Sequence, residues 1–487
     1  MRLSVASLAA SLSLAAVAAC SSSSPAGPSA PPENDGGAPV GDGGATATGA
    51  SPTFYKDVLP ILQDNCQKCH HAGGIAPFAL ESYDNAKNMA AGIVSATKSR
   101  IMPPWGAQDT SECTPPRPWK DDARLSDAEI ATLDAWQKGG TKEGDAADAP
   151  PPKAPPPSGL PNANFTAQPE PYQLATNTTD SFRCFVIDPK ITSTRYMNGA
   201  FVVPGNPTIV HHALLFSDPN RESLAKADAA GGYDCPGGSG NSEASLLAAW
   251  TPGGVPMDFP DSVGAPVEAN TLFVMQIHYH PHGPNNAPDS TQLQMRFTDQ
   301  APSWLAITRL IGNFRTGVGA TGDGLQPGPD DDGAPKFLIP AGAAQHAETM
   351  QFTVPARAAG IATPKLYLYS VGAHMHLVGY DEKVTIHRKS AGTSGSDPQD
   401  QCLLHEPRWD FNWQRAYVYD APIESLPVVA PGDQLFARCT YNNTMSNTAL
   451  AGSLQSQGKT APSDVTLGET TLDEMCLGSY TFLAKAN

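Results

Sequence analysis

The chain has 487 residues, 47 prolines, 44 glycines and a formal charge of −17, from 48 acidic against 31 basic residues. A balance this acidic excludes the electrostatic attraction on which nucleic-acid binding depends. The length allows about three domains, and many turn-forming residues with few long helical runs beyond residue 160 point to β-rich units.

Arg2, an apolar run over residues 3–16 and the close Val17-Ala18-Ala19-Cys20 predict a secretory signal over residues 1–20. Its last residue is cysteine, which resembles a bacterial lipoprotein signal and predicts a lipid on Cys20. Ser21 after that cysteine leans toward the outer membrane, by analogy with bacterial sorting. Residues 21–51, rich in Ser, Gly, Ala and Pro, cannot bury apolar surface and are expected to form a flexible tether. No other apolar run approaches the ~20 residues needed to cross a bilayer. The expectation is an exported protein anchored to a bacterial membrane by lipid alone.

Residues 52–146 read as a small all-α domain. Apolar residues at helical spacing in "SPTFYKDVLPILQDNC" precede the string Cys66-Gln67-Lys68-Cys69-His70. Later, Ser126 and Glu129 stand three apart before Ile130, Leu133 and Trp136, and Gly139-Gly140 stops the run, so a capped helix is predicted there. CxxCH is the signature of covalent haem: two thiols add to vinyl groups and the histidine ligates iron. Zinc or a redox dithiol would not require the following histidine. Cys66, Cys69 and His70 are therefore expected to hold haem c, with His71 on the surface. For the sixth ligand, Met102 in "SRIMPPW" is chosen because two prolines stiffen its loop; an axial methionine raises the iron potential. Met89, in a helical stretch, is the alternative. The order CxxCH, Met-Pro-Pro, terminal helix with tryptophan resembles small class I cytochromes c.

A proline-rich linker over residues 147–164 should extend as polyproline II. Beyond it, short alternating or apolar runs such as "AFVVPG", "TLFVMQIHYH", "KLYLYSVGAHMHLVG" and "DQLFARCTY" predict strands in two β units, residues 165–325 and 335–487. The Gly- and Asp-rich stretch from Gly317 to Gly333 separates them. Its Asp330-Asp331-Asp332 run matches no calcium-loop spacing and is expected to be solvated.

The apolar strands carry histidines where none is needed for packing. His211-His212 lie in "TIVHHALLF", His278 in "VMQIHYHP", and His374 and His376 in "VGAHMHLVG". Buried imidazoles must be satisfied, by metal or by hydrogen bonds. Residues two apart on a strand share a face, so His374 and His376 can bind one ion. His211 and His212 are adjacent and can do so only where the strand is bulged or ending. Met475 offers a thioether, and histidine with thioether suits copper, Cu(I) above all. Of nine cysteines, Cys20, Cys66 and Cys69 have assigned roles; the other six allow three disulfides with fifteen possible connectivities.

The strings "HHALLF", "QIHYH", "HMHLVG", "WDFNWQ", "LFARCTY" and "DEMCL", in this order, resemble the copper type II, ascorbate-dependent monooxygenases, the family of the peptidylglycine and dopamine hydroxylating enzymes. The resemblance spans roughly residues 165–487. It implies two antiparallel, jelly-roll-like β-sandwiches with one copper each, facing a solvent-filled cleft. It further implies that His211, His212 and His278 hold an electron-storing copper, with Gln276 near it. His374, His376 and Met475 would hold the catalytic copper that binds O2. The family disulfides correspond to Cys439 with Cys476 and Cys184 with Cys235. That would leave Cys113 and Cys402 to tie the haem domain to the second β unit.

Departures matter too. Peptide-amidating members have arginine where this chain has Gly372, and asparagine and tyrosine where it has Leu477 and Ser479. A C-terminal peptide substrate is therefore unsupported. The expected function is hydroxylation of a C–H bond in a small substrate, with electrons from a reductant or redox protein reaching copper through the fused haem. The alternative is a non-catalytic copper and haem electron carrier.

Overall fold

The computed structural model describes residues 51–486 apart from 154–158, 176–177, 179, 282–286, 314–321, 329–330, 359–360 and 392–396. The expected signal, Cys20 and the tether to residue 50 lie outside the described residues, as do Asp330 and the middle of the proline-rich linker. No helix among the described residues is long and apolar enough to cross a membrane.

Residues 54–65 form one helical run, a π-turn over Phe54–Val58 leading into α-helix Leu59–Asn65, which stops at Cys66. Helices Tyr83–Asn88, Ala90–Lys98 and Asp127–Lys138 follow. The last begins as its sequence dictates: Ser126 Oγ accepts from the Glu129 N–H at 3.2 Å, and the Glu129 carboxylate accepts the Ser126 N–H at 2.8 Å. This reciprocal cap satisfies two of the helix's unpaired donors. Leu133 and Trp136 then face Phe54, Val58 and Leu62 in a small separate core. The result is a compact helical region built on one apolar cluster.

The rest is antiparallel sheet. One ten-stranded sheet runs through both β units in the spatial order Phe165–Ala167, Gln292–Thr298, Arg195–Val203, Val263–Val267, Trp304–Gly312, Leu477–Lys485, Leu366–His374 and Ala416–Val418. The short strands Met257–Asp258 and Val428–Val429 pair at its sides. A five-stranded sheet covers each half. The first contains Gly232–Asp234, Ser181–Ile187, Leu272–Tyr279, Val210–Asp218 and Ser245–Trp250. The second contains Gly324–Leu325, His346–Thr353, Gln434–Tyr441, Gly379–His387 and Asp400–Glu406.

Facing sheets close on one apolar core. Phe273 of the first five-stranded sheet stacks on Phe297 of the large sheet at 6.1 Å. Both belong to a cluster that continues through Leu368, Val371, Val384, Leu404 and Phe482 and reaches Trp105 and Trp119 of the N-terminal region. Fully burying a side chain of that size contributes about 1.5–3 kcal/mol.

The seam between the β units differs from the sequence expectation. Trp304–Gly312, expected in the first unit, pairs along its whole length with Leu477–Lys485 of the second. Its pairing with the first unit is a two-residue parallel bridge, Trp304 with Val263 and Leu305 with Gly264. The units are thus parts of one sheet, because a strand edge left open between them would expose unpaired backbone groups.

Cys113 pairs with Cys402, Cys184 with Cys235 and Cys439 with Cys476. The first closes a loop of 289 residues and pins the N-terminal region to the second β unit. Replacing both Cys113 and Cys402 by serine should cost about 2–4 kcal/mol and lower the melting temperature by several degrees in scanning calorimetry under oxidising conditions. An unchanged Tm would contradict a structural role for this bridge.

Candidate metal centre

His211 and His212 stand at the start of strand Val210–Asp218, which pairs with Leu272–Tyr279. Val210 faces Tyr279 and His212 faces His278, so the register shifts by one residue at His211. That irregularity lets two adjacent histidines turn the same way. The ligand nitrogens of His211, His212 and His278 all lie within 4.8 Å of one another. His211 Nδ1 and His212 Nδ1 are 3.2 Å apart.

His278 shows which nitrogen is available. Its Nε2–H donates to Asp180 Oδ1 at 2.8 Å, because a carboxylate can only accept. Its Nδ1 is then a lone pair, buried and without a hydrogen-bond partner, aimed into the histidine cluster. A carboxylate behind a histidine is the usual support of a metal ligand. Asp180 also accepts from His280 Nδ1 at 3.0 Å and from the Thr471 hydroxyl at 2.8 Å. Thr471 lies four residues before Met475, so one carboxylate joins both ligand sets. Gln276 donates to the Cys235 carbonyl at 2.7 Å, beside the Cys184–Cys235 bridge.

His374 ends strand Leu366–His374, opposite Leu477. His376 follows, its ring centre 5.3 Å from that of His374 and perpendicular to it. Gln414 Oε1 accepts from His374 Nδ1 at 2.7 Å, and the Gln414 amide nitrogen donates to the Phe411 carbonyl, which fixes the oxygen end. His376 Nδ1 donates to the Asp473 carbonyl at 3.2 Å. Each ring therefore keeps Nε2 as its lone pair. Met475 is buried next to the Cys439–Cys476 bridge, and its carbonyl accepts the Tyr441 hydroxyl at 2.8 Å.

Burial holds these imidazoles neutral. It lowers His374 to about 4 and His376 to about 3, lowers His278 against the opposing pull of Asp180, and pushes His212 well below its usual range. Neutral imidazole is the ligand form, so no proton need be displaced at neutral pH. The converging imidazole nitrogens fit a borderline ion such as copper.

The two sets lie close together. His212 and His374 ring centres are 6.2 Å apart, and Phe411 stacks on His211 at 4.4 Å while reaching His376 at 6.4 Å. Phe411 thus forms an aromatic plug beside the two sets.

Three carboxyls are buried behind the His374 strand. Glu382 accepts the His374 N–H at 3.1 Å, Glu474 accepts those of His376 and Met475, and Glu406 bonds the Ala373 N–H and the Tyr417 hydroxyl. Burial raises Glu406 and Glu474 to about 8, and Glu382 well above its usual range with Glu406 adding to it.

In the helical region Cys66 and Cys69 are the free cysteines among the described residues. His70 Nδ1 donates to the Phe78 carbonyl at 3.1 Å, which leaves its Nε2 outward. Apolar Ile75 and Phe78, just after the motif, and Ile101, just before Met102, are exposed. Unfilled thiols, an oriented imidazole and uncovered apolar side chains fit a porphyrin. Met102 lines a small cavity with Thr97, Arg100, Trp105, Gln108 and Ile130, whose walls include no CxxCH residue. Met89 packs on the same apolar cluster as Cys66.

Sequence reading missed Asp180, Gln414, Glu474 and Phe411. Alternation in "QIHYH" puts His280 on the face of His278 and was a usable signal; Asp180 and Gln414 lie 98 and 40 residues from their histidines and left none.

Residues 169–285 match the family model "Copper type II ascorbate-dependent monooxygenase, N-terminal domain", which covers all three residues of the first histidine set. The chain is 24% identical over 297 residues to mouse (Mus musculus) "DBH-like monooxygenase protein 2", a match over 59% of this chain and 40% of that protein. The chain thus spans less than half the length of this relative. Both likenesses are to copper type II monooxygenases, and the family model is matched over the first β unit alone. Among solved structures, the major capsid protein P2 of bacteriophage PM2 aligns at TM-score 0.21 and 10% identity, over 63% of this chain and 98% of that one. The VP2 subviral particle of infectious bursal disease virus aligns at 0.17 and 10%, over 68% and 75%. Likeness this slight carries no argument.

Glu406 predicts a pH effect in the metal-free protein. A carboxyl raised from 4.5 to about 8 binds more protons folded than unfolded, so its stabilisation is full below about 4.5 and is lost as pH rises toward 8. The depressed histidines act with the opposite sign, and only below about 6.5. Between pH 6.5 and 8 the buried carboxyls alone among these groups change. Glu406→Gln should flatten the loss of stability across that window by up to about 2 kcal/mol. Calorimetry at several pH values measures it; parallel curves for variant and parent would contradict a neutral Glu406.

Proposed function

We propose that this chain is an exported copper monooxygenase that places one oxygen atom of O2 in a C–H bond of a small substrate, with a covalent haem c on its helical region as electron donor. One observation carries the reading: His278, His374 and His376 each give one ring N–H to a fixed acceptor and keep the other nitrogen as a lone pair, which at His278 is buried without a partner. Core histidines serving only as structure would have both nitrogens satisfied. Copper in these sets supplies oxygen activation and one-electron storage, and haem supplies one-electron transfer.

The residues divide the work by donor chemistry. His211, His212 and His278 offer nitrogen alone and form the electron-storing set. His374, His376 and Met475 add a thioether, which favours the cuprous state, and form the catalytic set. Asp180, Gln414 and Asp473 hold the rings in their tautomers. Cys66 and Cys69 would hold the haem through its vinyl groups; burial pushes the Cys66 thiol up to about 12, which keeps it protonated. His70 would ligate the haem iron, and Met102, with Met89 as its alternative, would supply the second ligand. Cys20 carries the lipid that anchors the protein to the bacterial membrane.

The plug at Phe411 favours a second reading, a non-catalytic copper and haem carrier, since closed ligand sets suit storage. Oxygen uptake with copper and a reductant separates them: uptake matched by hydroxylated product requires an opening site, and uptake without product favours the carrier.

Met475→Ala should abolish hydroxylation while leaving the haem absorption bands unchanged, and His212→Ala should lower bound copper from two ions to one. Mass spectrometry of product and elemental analysis check both. Retained turnover in Met475→Ala would contradict its role.

A further inference from the structure

The segment Trp409–Tyr417 touches both halves of the proposed redox machinery. Trp409 Nε1 donates to the His376 carbonyl at 3.0 Å, and Gln414 holds His374 Nδ1 at 2.7 Å. The next residue, Arg415, lays its guanidinium over the Trp105 ring at 5.1 Å, three residues after Met102. Its charge also acts on the Cys69 thiol of the CxxCH motif and on Glu406. Tyr417 completes the contact: its ring lies 5.1 Å from that of Trp105, and its hydroxyl accepts the Gly106 N–H at 2.9 Å.

Further bonds from the N-terminal region land on the same β unit. Arg408 donates to the Ser99 carbonyl, Gln108 bonds the His405 carbonyl, Glu112 pairs with Lys383 and Arg438, and Cys113 is bridged to Cys402. The segment carrying Met102 is therefore fixed against the His374 side of the molecule.

We propose that haem electrons enter the copper pair at the His374/His376 set, through Arg415 and Gln414, and not at the His211/His212/His278 set. This rests on the proposed function and reverses the order in which the electron-storing set is filled directly from haem. Electron tunnelling falls steeply with distance and is favoured through bonds over gaps. The route from Trp105, three residues after the proposed ligand Met102, to His374 needs only the Arg415 contact, one stretch of backbone and one hydrogen bond. In the step, ferrous haem loses one electron and becomes ferric while a cupric ion at His374/His376 becomes cuprous; no bond or proton is exchanged. The storage set then equilibrates across the 6.2 Å between His374 and His212.

The test uses the full chain loaded with haem and copper, without O2 or substrate. A photoexcited flavin pulse reduces the haem, and its absorbance reports re-oxidation. Arg415→Ala and Trp105→Leu should each slow re-oxidation about tenfold, and His374→Ala should abolish it. His212→Ala should leave the fast phase intact. Fast re-oxidation that survives in His374→Ala but is lost in His212→Ala would overturn the proposal, as would parent rates in both Arg415→Ala and Trp105→Leu. Haem spectra and copper content of the same samples separate a lost route from a lost cofactor. A chain carrying no covalent haem would instead contradict the haem reading of the proposed function.

Discussion

The structure turns on a single misstep in one strand pair. Antiparallel strands send neighbouring side chains to opposite faces, so His211 and His212 cannot converge while the ladder is regular. The register shift at His211 removes that prohibition and brings both rings toward His278, which faces His212 across the pair. It is cheap because it falls at the strand's first residues, where few ladder bonds are lost. The adjacent Cys184–Cys235 bridge and the buried Gln276 hold the partner strand in place, so the shift is localised rather than propagated. The second set needs no such device. His374 closes one strand and His376 lies beyond its end, where the Asp473 carbonyl and the Glu474 carboxylate hold it, so its place is set by those bonds and not by strand alternation.

Both sets use the same electrostatic arrangement. Imidazoles are buried neutral, and His278, His374 and His376 are each anchored through one nitrogen by an acceptor from a distant part of the chain. Asp180, Gln414 and the Asp473 carbonyl cost little, because each exchanges a water hydrogen bond for a protein one. The lone pairs they leave inside are the costly part, since a buried acceptor without a partner loses about 1–3 kcal/mol. An ion repays that cost. Glu382, Glu406 and Glu474 extend the logic: buried and neutral without a cation, they hold the negative charge that a bound ion would draw out by favouring their ionised forms.

What could be read in the chain follows from how local each signal is. The Ser126–Glu129 cap, the strand alternation around His278 and the histidine strings are short-range patterns, and each has its counterpart in the structure. Asp180 and Gln414 are single polar residues whose meaning depends on strand pairing far along the chain, so no window of sequence reveals them. The seam is a second case. Trp304–Gly312 precedes the Gly- and Asp-rich stretch and so groups with the first unit by order. Its hydrogen bonds, however, are satisfied by Leu477–Lys485, more than 160 residues later. Phe411 is the third: an aromatic in "WDFNWQ" reads as core, and only the packing shows it stacked on His211 between the two sets.

The same segment explains why the N-terminal region sits where it does. A domain tethered only by a proline-rich linker would sample many positions, and its redox partner with it. Here three different kinds of interaction fix it to one β unit: the Cys113–Cys402 bond, the Glu112 ion pairs, and the aromatic cluster of Trp105, Trp119, Tyr417 and Tyr419. The aromatic cluster carries most of the weight, because exposed ion pairs contribute little while buried rings contribute through area and ring geometry. Tyr417 belongs at once to that cluster and to the strand paired with Val371, three residues before His374. Packing that orients the N-terminal region therefore also sets the backbone that carries a proposed ligand. Docking of the N-terminal region and the placement of His374 therefore share one strand.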